Sequence, residues 1–134
     1  TQLGAFRVLQ RVLPAMAKAR TGSIVLLSSA SARAGSPGQA NYAAAKAALE
    51  GFARSVALEY GRRGVRVNVV APGPVDTDMV AVLTDQQRQA LVDQVPLGRL
   101  ARPEEIAEVV RWVAGSTYVT GATIPVTGGG ALGW

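Results

Sequence analysis

Tyr42 and Lys46 stand four residues apart in the run Tyr42-Ala43-Ala44-Ala45-Lys46, the spacing that makes two side chains neighbours on one face of a helix. An ammonium beside a phenol favours the phenolate, which turns a tyrosine into a usable acid or base. Taken alone, such a pair is more often a tyrosine packed on an alanine-rich helix next to a solvated lysine. The rest of the inventory gives it weight. The 134 residues include no His and no Cys, which excludes Ser-His-Asp chemistry, thiolate nucleophiles, disulfides and the usual zinc ligand sets. No metal site is expected, and proton chemistry falls to Tyr, Lys and the carboxylates.

The elements that must position these groups follow from periodicity. Ser28-Ser29 ends the unbroken apolar run Ile24-Val25-Leu26-Leu27, which suits a parallel strand covered on both faces. A second β-branched strand, Val65 to Val70, runs into Pro72-Gly73-Pro74-Val75-Asp76-Thr77, with the Pro-Gly-Pro turn as its terminator. Ligands of open α/β sheets bind outside the carboxyl ends of the strands, so hydroxyl, phenol, ammonium and turn are expected to meet in one crevice. Helix caps and chain turns would explain each segment separately, but not their common position at one sheet edge.

Phe6, Leu9, Leu13 and Met16 mark an amphipathic helix over Leu3 to Ala19, bent at Pro14. Ser28 to Gly38 is small and polar. Gln39 to Tyr60 reads as a helix with the stripe Leu49, Phe52, Val56 and Tyr60, stopping at Gly61 with Arg62 and Arg63 near its negative end. Thr84 and Gln87 fit a capping box that opens a helix to about Val95. Pro103, Glu104 and Glu105 open another, to about Ala114. Ala122 to Val126 is a third strand, weakened by Pro125, before a Gly-rich stretch from Thr127 to Trp134 that reads as a mobile or subunit-packing tail. Gly128 to Gly133 matches G-x-G-x-x-G in form, but no helix follows it, so it is not a dinucleotide fingerprint. Alternating strands and helices predict an α/β fold with a parallel sheet. Three strands, and a first helix with no strand before it, predict the carboxyl-terminal half of a doubly wound, Rossmann-type domain.

Composition narrows the classes further. Hydrophobic residues make up 49% of the chain and charged residues 17%, which excludes disorder, and the length suits one core. The net charge of +5 invites a nucleic-acid reading. Against it, the basic residues are scattered, only Arg62, Arg63 and Arg66 cluster, and no aromatic residues are interleaved with them as stacking platforms. No apolar stretch approaches a membrane span, so the chain reads as soluble and cytoplasmic.

At this point the sequence resembles the short-chain dehydrogenase/reductase family. The matching pieces are Ser29, thirteen residues before Tyr42, the run Gln39-Ala40-Asn41-Tyr42-Ala43-Ala44-Ala45-Lys46, the run Val67-Asn68-Val69-Val70-Ala71-Pro72-Gly73, Asp76-Thr77-Asp78-Met79, and Tyr118-Val119-Thr120-Gly121. Gln39 to Tyr42, with Pro96-Leu97-Gly98-Arg99, is most similar to the 3-oxoacyl-(acyl carrier protein) reductases. The resemblance implies an enzyme that reduces a carbonyl with NADP or NAD, NADP slightly favoured, in fatty acid biosynthesis. It implies that Tyr42 protonates the carbonyl oxygen as hydride arrives, Ser29 hydrogen-bonds the same oxygen, and Lys46 holds the nicotinamide ribose. It places Pro72, Gly73, the Val75 backbone and the Thr77 hydroxyl against the cofactor, and Gln39 toward the substrate. Arg20 and Arg63 align with basic positions that dock an acidic carrier protein, although both could be solvated charges at element ends. A homo-oligomer, dimer or tetramer, is implied as well.

The chain departs from the family at several places. The glycine-rich pyrophosphate turn, the Asn-Asn-Ala-Gly segment and the residues choosing between NAD and NADP belong to an amino-terminal half absent from these residues. Thr1 stands at the position of the active-site Asn, where it cannot supply both an amide donor and a carbonyl. The link from Ala114 to Tyr118 is short, and Thr127 replaces the usual Asp. A reading from another class is a non-catalytic remnant acting as an oligomerisation or interaction module. A first half encoded upstream in the same frame discriminates the two.

Overall fold

The alternation in Val65-Arg66-Val67-Asn68-Val69-Val70 decides the architecture, because successive strand residues face opposite sides of a sheet and both sides here must be covered. The computed structural model describes residues 2–131. Its elements run α1 (Gln2–Ala19), β1 (Gly22–Leu27), α2 (Ser31–Ala34), α3 (Ala40–Tyr60), a 3-10 turn (Gly61–Arg63), β2 (Val65–Pro72), α4 (Asp78–Ala81), α5 (Asp85–Asp93), α6 (Pro103–Gly115) and β3 (Thr123–Val126). The three strands form a parallel sheet in the order β1-β2-β3, with Ile24 opposite Val67 and Val70 opposite Ile124.

Val65, Val67 and Val69 are fully buried against Leu9 and Leu13 of α1 and Leu49, Ala53 and Val56 of α3. Val70 turns to the other face, against Ile106 and Val113 of α6. Helices therefore cover both faces, as the doubly wound expectation requires. The two polar residues of β2 are held by the chain around them. The Arg66 guanidinium donates to the carbonyls of Val113, Ala114 and Ser116, capping the last turn of α6. Asn68 binds the loop that leads into β3.

Several boundaries differ from expectation. α3 itself stops at Gly61 as expected, but that glycine keeps a right-handed φ of −57°, and the chain continues through the 3-10 turn before it turns left-handed at Gly64, at φ 78°. A side chain at Gly64 would strike the Arg20 carbonyl oxygen. Gly64→Ala is therefore expected to lower stability by at least about 2 kcal/mol in urea denaturation, since a left-handed backbone and a backbone clash add. An unchanged midpoint would contradict that close approach. β2 runs two residues beyond Val70, because Pro72 needs only its carbonyl there, accepting from the Ala30 N–H at 2.8 Å. Pro125 is tolerated in β3, which has β2 as its single partner among the described residues. α1 runs unbroken through Pro14, the capping box of α5 forms between Thr84 and Gln87, and that helix stops at Asp93 rather than Val95.

The glycine-rich stretch was expected to be a tail, yet Thr127 to Gly130 folds back on Val95 to Leu97. The Leu97 N–H donates to the Gly128 carbonyl at 3.1 Å, and a side chain at Gly128 would meet Val95. The rest of that stretch, Leu132 to Trp134, and Thr1 lie outside the described residues. No helix among the described residues is long and apolar enough to cross a membrane.

Candidate active site

α3 packs on β1 and β2, and two hydrogen bonds fix it against the carboxyl end of β1. The buried Ser28 hydroxyl donates to the Lys46 carbonyl at 3.0 Å, and Lys46 Nζ donates to the Leu27 carbonyl at 3.0 Å. Lys46 Nζ also lies 5.8 Å from the centroid of the Tyr42 ring, one helical turn away. An ammonium has three donors, so two of those of Lys46 remain after the Leu27 bond. Tyr42, 41% exposed, opens with Lys46 and Asn41 onto a cavity of about 410 Å³ walled by Leu26, Leu27 and Leu49.

Ser29 lies just beyond the end of β1. Its Oγ accepts the Ser31 N–H at 3.2 Å. A hydroxyl carries two lone pairs and one proton, so the Ser29 O–H stays available to donate. Ser29 shares a second cavity, of about 440 Å³, with Gln39, Pro72, Gly73 and Thr127. The sequence reading expected one crevice; the residues line two, both beside the carboxyl end of β1. Gln39 precedes α3 with its side-chain carbonyl accepting from Ser36 at 2.8 Å.

Past the end of β2, Val75 forms a parallel bridge with Ala101. The bonds flank it: the Asp76 N–H donates to Ala101 at 2.8 Å and the Ala101 N–H to Pro74 at 3.1 Å. Neighbouring residues of an extended chain turn their N–H and C=O to opposite edges, so those of Val75 face away from this bridge. Thr77 is the exposed residue before α4, and its hydroxyl makes no capping bond.

Two ion pairs brace this loop. Arg88 of α5 binds both oxygens of Asp76 at 3.0 and 2.9 Å, and its hydrogen bond holds the carboxyl below its ordinary value. Arg99 binds Glu105 with both nitrogens at 2.8 Å. That bond, with the Arg102 N–H, brings the Glu105 carboxyl down to about 2 from 4.5. Because the folded value is depressed, the tie is complete above pH 4.5 and is lost as the pH falls through about 2. Acid titration is expected to leave the Ala101 segment, and with it the Val75 bridge, ordered at pH 5; release of that segment near pH 5, read by amide exchange, would contradict the pairing.

Arg20 and Arg63 fall elsewhere. They precede β1 and β2 and so lie at the amino end of the sheet, opposite Ser29. There Arg20 donates to the Arg62 carbonyl at 2.9 Å, Arg63 sits 5.7 Å from the Tyr60 ring centroid, and both line a cleft with Lys18. Sequence reasoning placed Ser28 at the strand end but not its burial, which shows only once α3 is packed against it, and it did not single out Leu91 and Gln94, which α5 and its C-cap bring to the Ser29 cavity. Among the described residues no group of His, Cys, Asp and Glu could hold a metal ion.

The family model described as Enoyl-(Acyl carrier protein) reductase matches residues 2–130. The chain is 54% identical over 126 residues to the 3-oxoacyl-(acyl carrier protein) reductase FabG of Pseudomonas aeruginosa, covering 92% of this chain and 51% of that protein. It is 45% identical over 128 residues to the FabG of Thermotoga maritima, covering 94% and 52%. Among solved structures, a 3-oxoacyl-(acyl carrier protein) reductase from Brucella melitensis ATCC 23457 superposes with a TM-score of 0.93 at 38% identity, covering 97% of this chain and 50% of that one. The chain thus spans about half the length of the curated relatives it matches. With a match across residues 2–130 and a superposition across nearly its full length, the chain belongs to the short-chain dehydrogenase/reductase family.

Proposed function

We propose that this chain is the catalytic, carboxyl-terminal half of a cytoplasmic reductase that uses NADP or NAD, NADP slightly favoured, to convert the carbonyl of a 3-oxoacyl group to a hydroxyl. The observation that carries the reading is the Tyr42–Lys46 pair pinned at the carboxyl end of β1, with the phenol open to a cavity. The names of the relatives supply the substrate class. The residues present suit the nicotinamide end of the cofactor: two free donors on Lys46 for ribose hydroxyls, an outward Val75 backbone for the carboxamide, and the unbonded Thr77 hydroxyl. Pro72 and Gly73 line the Ser29 cavity. The diphosphate and adenine belong, in this proposal, to the amino-terminal half that completes the domain.

The bound dinucleotide supplies a hydride to the carbonyl carbon. Tyr42 donates the phenolic proton to the carbonyl oxygen, so that C=O becomes CH–OH with charge balanced. Ser29 donates a hydrogen bond to that oxygen and polarises it. Lys46 orients the ribose and holds its charge beside the phenol. Gln39, on the rim of the Ser29 cavity, contacts the acyl substrate. Exposed Leu3 and Val8 on α1 and Leu58 on α3 supply apolar surface for a second copy, in keeping with a homo-oligomer.

The carrier-protein part of the reading rests on Arg20 and Arg63 at the far end of the sheet. Opposite charge would mainly raise the association rate and fade with salt. In the complete enzyme, Arg20→Glu with Arg63→Glu is expected to slow reduction of a 3-oxoacyl group on an acidic carrier by about tenfold at low ionic strength and to spare a small 3-oxoacyl thioester analogue. Equal loss on both substrates, or none on either, would leave a small ketone as the substrate.

A further inference from the structure

The pair formed by Arg33 and Glu50 has no part in the chemistry above, yet it joins the two segments that carry it. Glu50 lies on α3 one turn beyond Lys46 and is 4% exposed. Its Oε2 accepts from Arg33 Nε at 3.0 Å and lies 2.9 Å from the terminal guanidinium nitrogen. Its Oε1 is buried without a hydrogen-bond partner among the described residues.

Arg33 sits on α2, a four-residue helix with no buried residue and no side-chain cap at its start. Burial of apolar surface therefore does little to fix α2. Its first residue, Ser31, donates its N–H to Ser29 Oγ, so the placement of α2 sets the rotamer of the Ser29 hydroxyl. On α3 the same face carries Tyr42, Lys46 and Glu50 at successive intervals of four. The connection runs from Ser29 through Ser31 and Arg33 to Glu50, and along α3 to Lys46 and Tyr42.

We propose that Arg33 and Glu50 are positioning residues whose ion pair sets the Ser29 hydroxyl against the Tyr42–Lys46 face of α3. The proposal rests on the reductase reading. A carboxylate buried with one oxygen unsatisfied is poor evidence for stability, because well-packed apolar residues commonly replace such pairs at no loss. What the pair provides instead is direction: two guanidinium nitrogens converge on the single oxygen Oε2, which ties Arg33 to one place on α3.

The test uses the complete enzyme that carries this chain, with three variants. Glu50→Leu is expected to lower kcat between about tenfold and 100-fold, as for a misplaced catalytic group, with KM for NADPH nearly unchanged. Glu50→Gln keeps an oxygen for Arg33 Nε and is expected to recover most of the rate. Arg33→Leu with Glu50→Leu is expected to melt at or above the parental temperature and still turn over slowly, which separates position from stability. Parental kcat in that double variant, or a Glu50→Leu protein that loses only melting temperature, would overturn the proposal.

Amide exchange gives a readout independent of turnover. Exchange at Ala32 to Gly35, whose N–H groups bond within the α2 turn, should quicken in Glu50→Leu while α5 stays unchanged. Unaltered exchange at those amides would overturn the hold of the pair on α2. A parental enzyme that reduces no carbonyl, or that keeps its rate as Tyr42→Phe, would overturn the reductase reading and with it the catalytic purpose of the pair.

Discussion

Tyr42→Phe in the complete reductase is expected to lower kcat by about 10²- to 10⁴-fold, the range a positioned general acid contributes, while the affinity for NADPH stays nearly intact. The change removes one oxygen and its proton. The ring remains beside the Lys46 ammonium, which keeps its bond to the Leu27 carbonyl and its freedom to hold the ribose. Lys46→Ala should behave differently. It deletes the cation beside the phenol and the ribose donors together, so kcat should fall and KM for NADPH should rise, a split that separates the roles of the two residues. The pH profile sharpens the comparison, because a variant without the phenol has no proton donor at the carbonyl oxygen. If Tyr42→Phe kept the parental rate and pH dependence, the proton would come from elsewhere and the assignment would be wrong.

These residues were legible in the sequence because their chemistry and their spacing agree. Four residues on a helix made neighbours of Tyr42 and Lys46 before any coordinates, and the apolar run ending at Leu27 located Ser29 at a strand end. What the sequence did not show is what holds them. The bond from Lys46 to Leu27 joins positions nineteen residues apart, and that from Ser28 to Lys46 spans eighteen. Such contacts follow from packing α3 on β1, and local periodicity carries no trace of them. α2 escaped notice for a related reason: four residues without a buried position leave no apolar period to read. The single expected crevice became two cavities because Ser29 shares its cavity with Ser31 and Ala34 of α2, while Tyr42 lines another with Lys46 and Leu49 of α3. The stop of α3 at Gly61 was legible, whereas the left-handed turn at Gly64 was not, because the three residues of the 3-10 turn between them carry no period to read. Arg20 and Arg63 were correctly placed at element ends, but which end of the sheet those ends share depends on all strands running parallel.

Asn68 is expected to be the polar residue on which the fold depends most. It is fully buried in the middle of β2, where its Nδ2 donates to the Val119 carbonyl at 2.8 Å and its Oδ1 accepts the Ala122 N–H at 3.0 Å. Those two bonds hold the loop that starts β3, and β3 carries Thr127 to the Ser29 cavity. Asn68→Ala leaves the part-buried Ala122 N–H and Val119 carbonyl without their side-chain partner, at about 1–3 kcal/mol each at most. Asn68→Asp should cost more, on the order of 4 kcal/mol at neutral pH, because it keeps the acceptor for Ala122 but sets a carboxylate oxygen against the Val119 carbonyl. The sign with pH follows. The buried carboxyl has a raised value in the folded state, so its penalty is absent below the unfolded value near ~4 and grows as the pH rises toward the folded one. Urea denaturation of the complete protein at pH 4 and pH 7 reads both effects. The expected order at pH 7 is parent, then Ala, then Asp, with the Asp variant recovering most of its loss at pH 4. An Asp variant as stable as the parent at pH 7 would mean that the 119–122 loop is held by something other than the Asn68 amide.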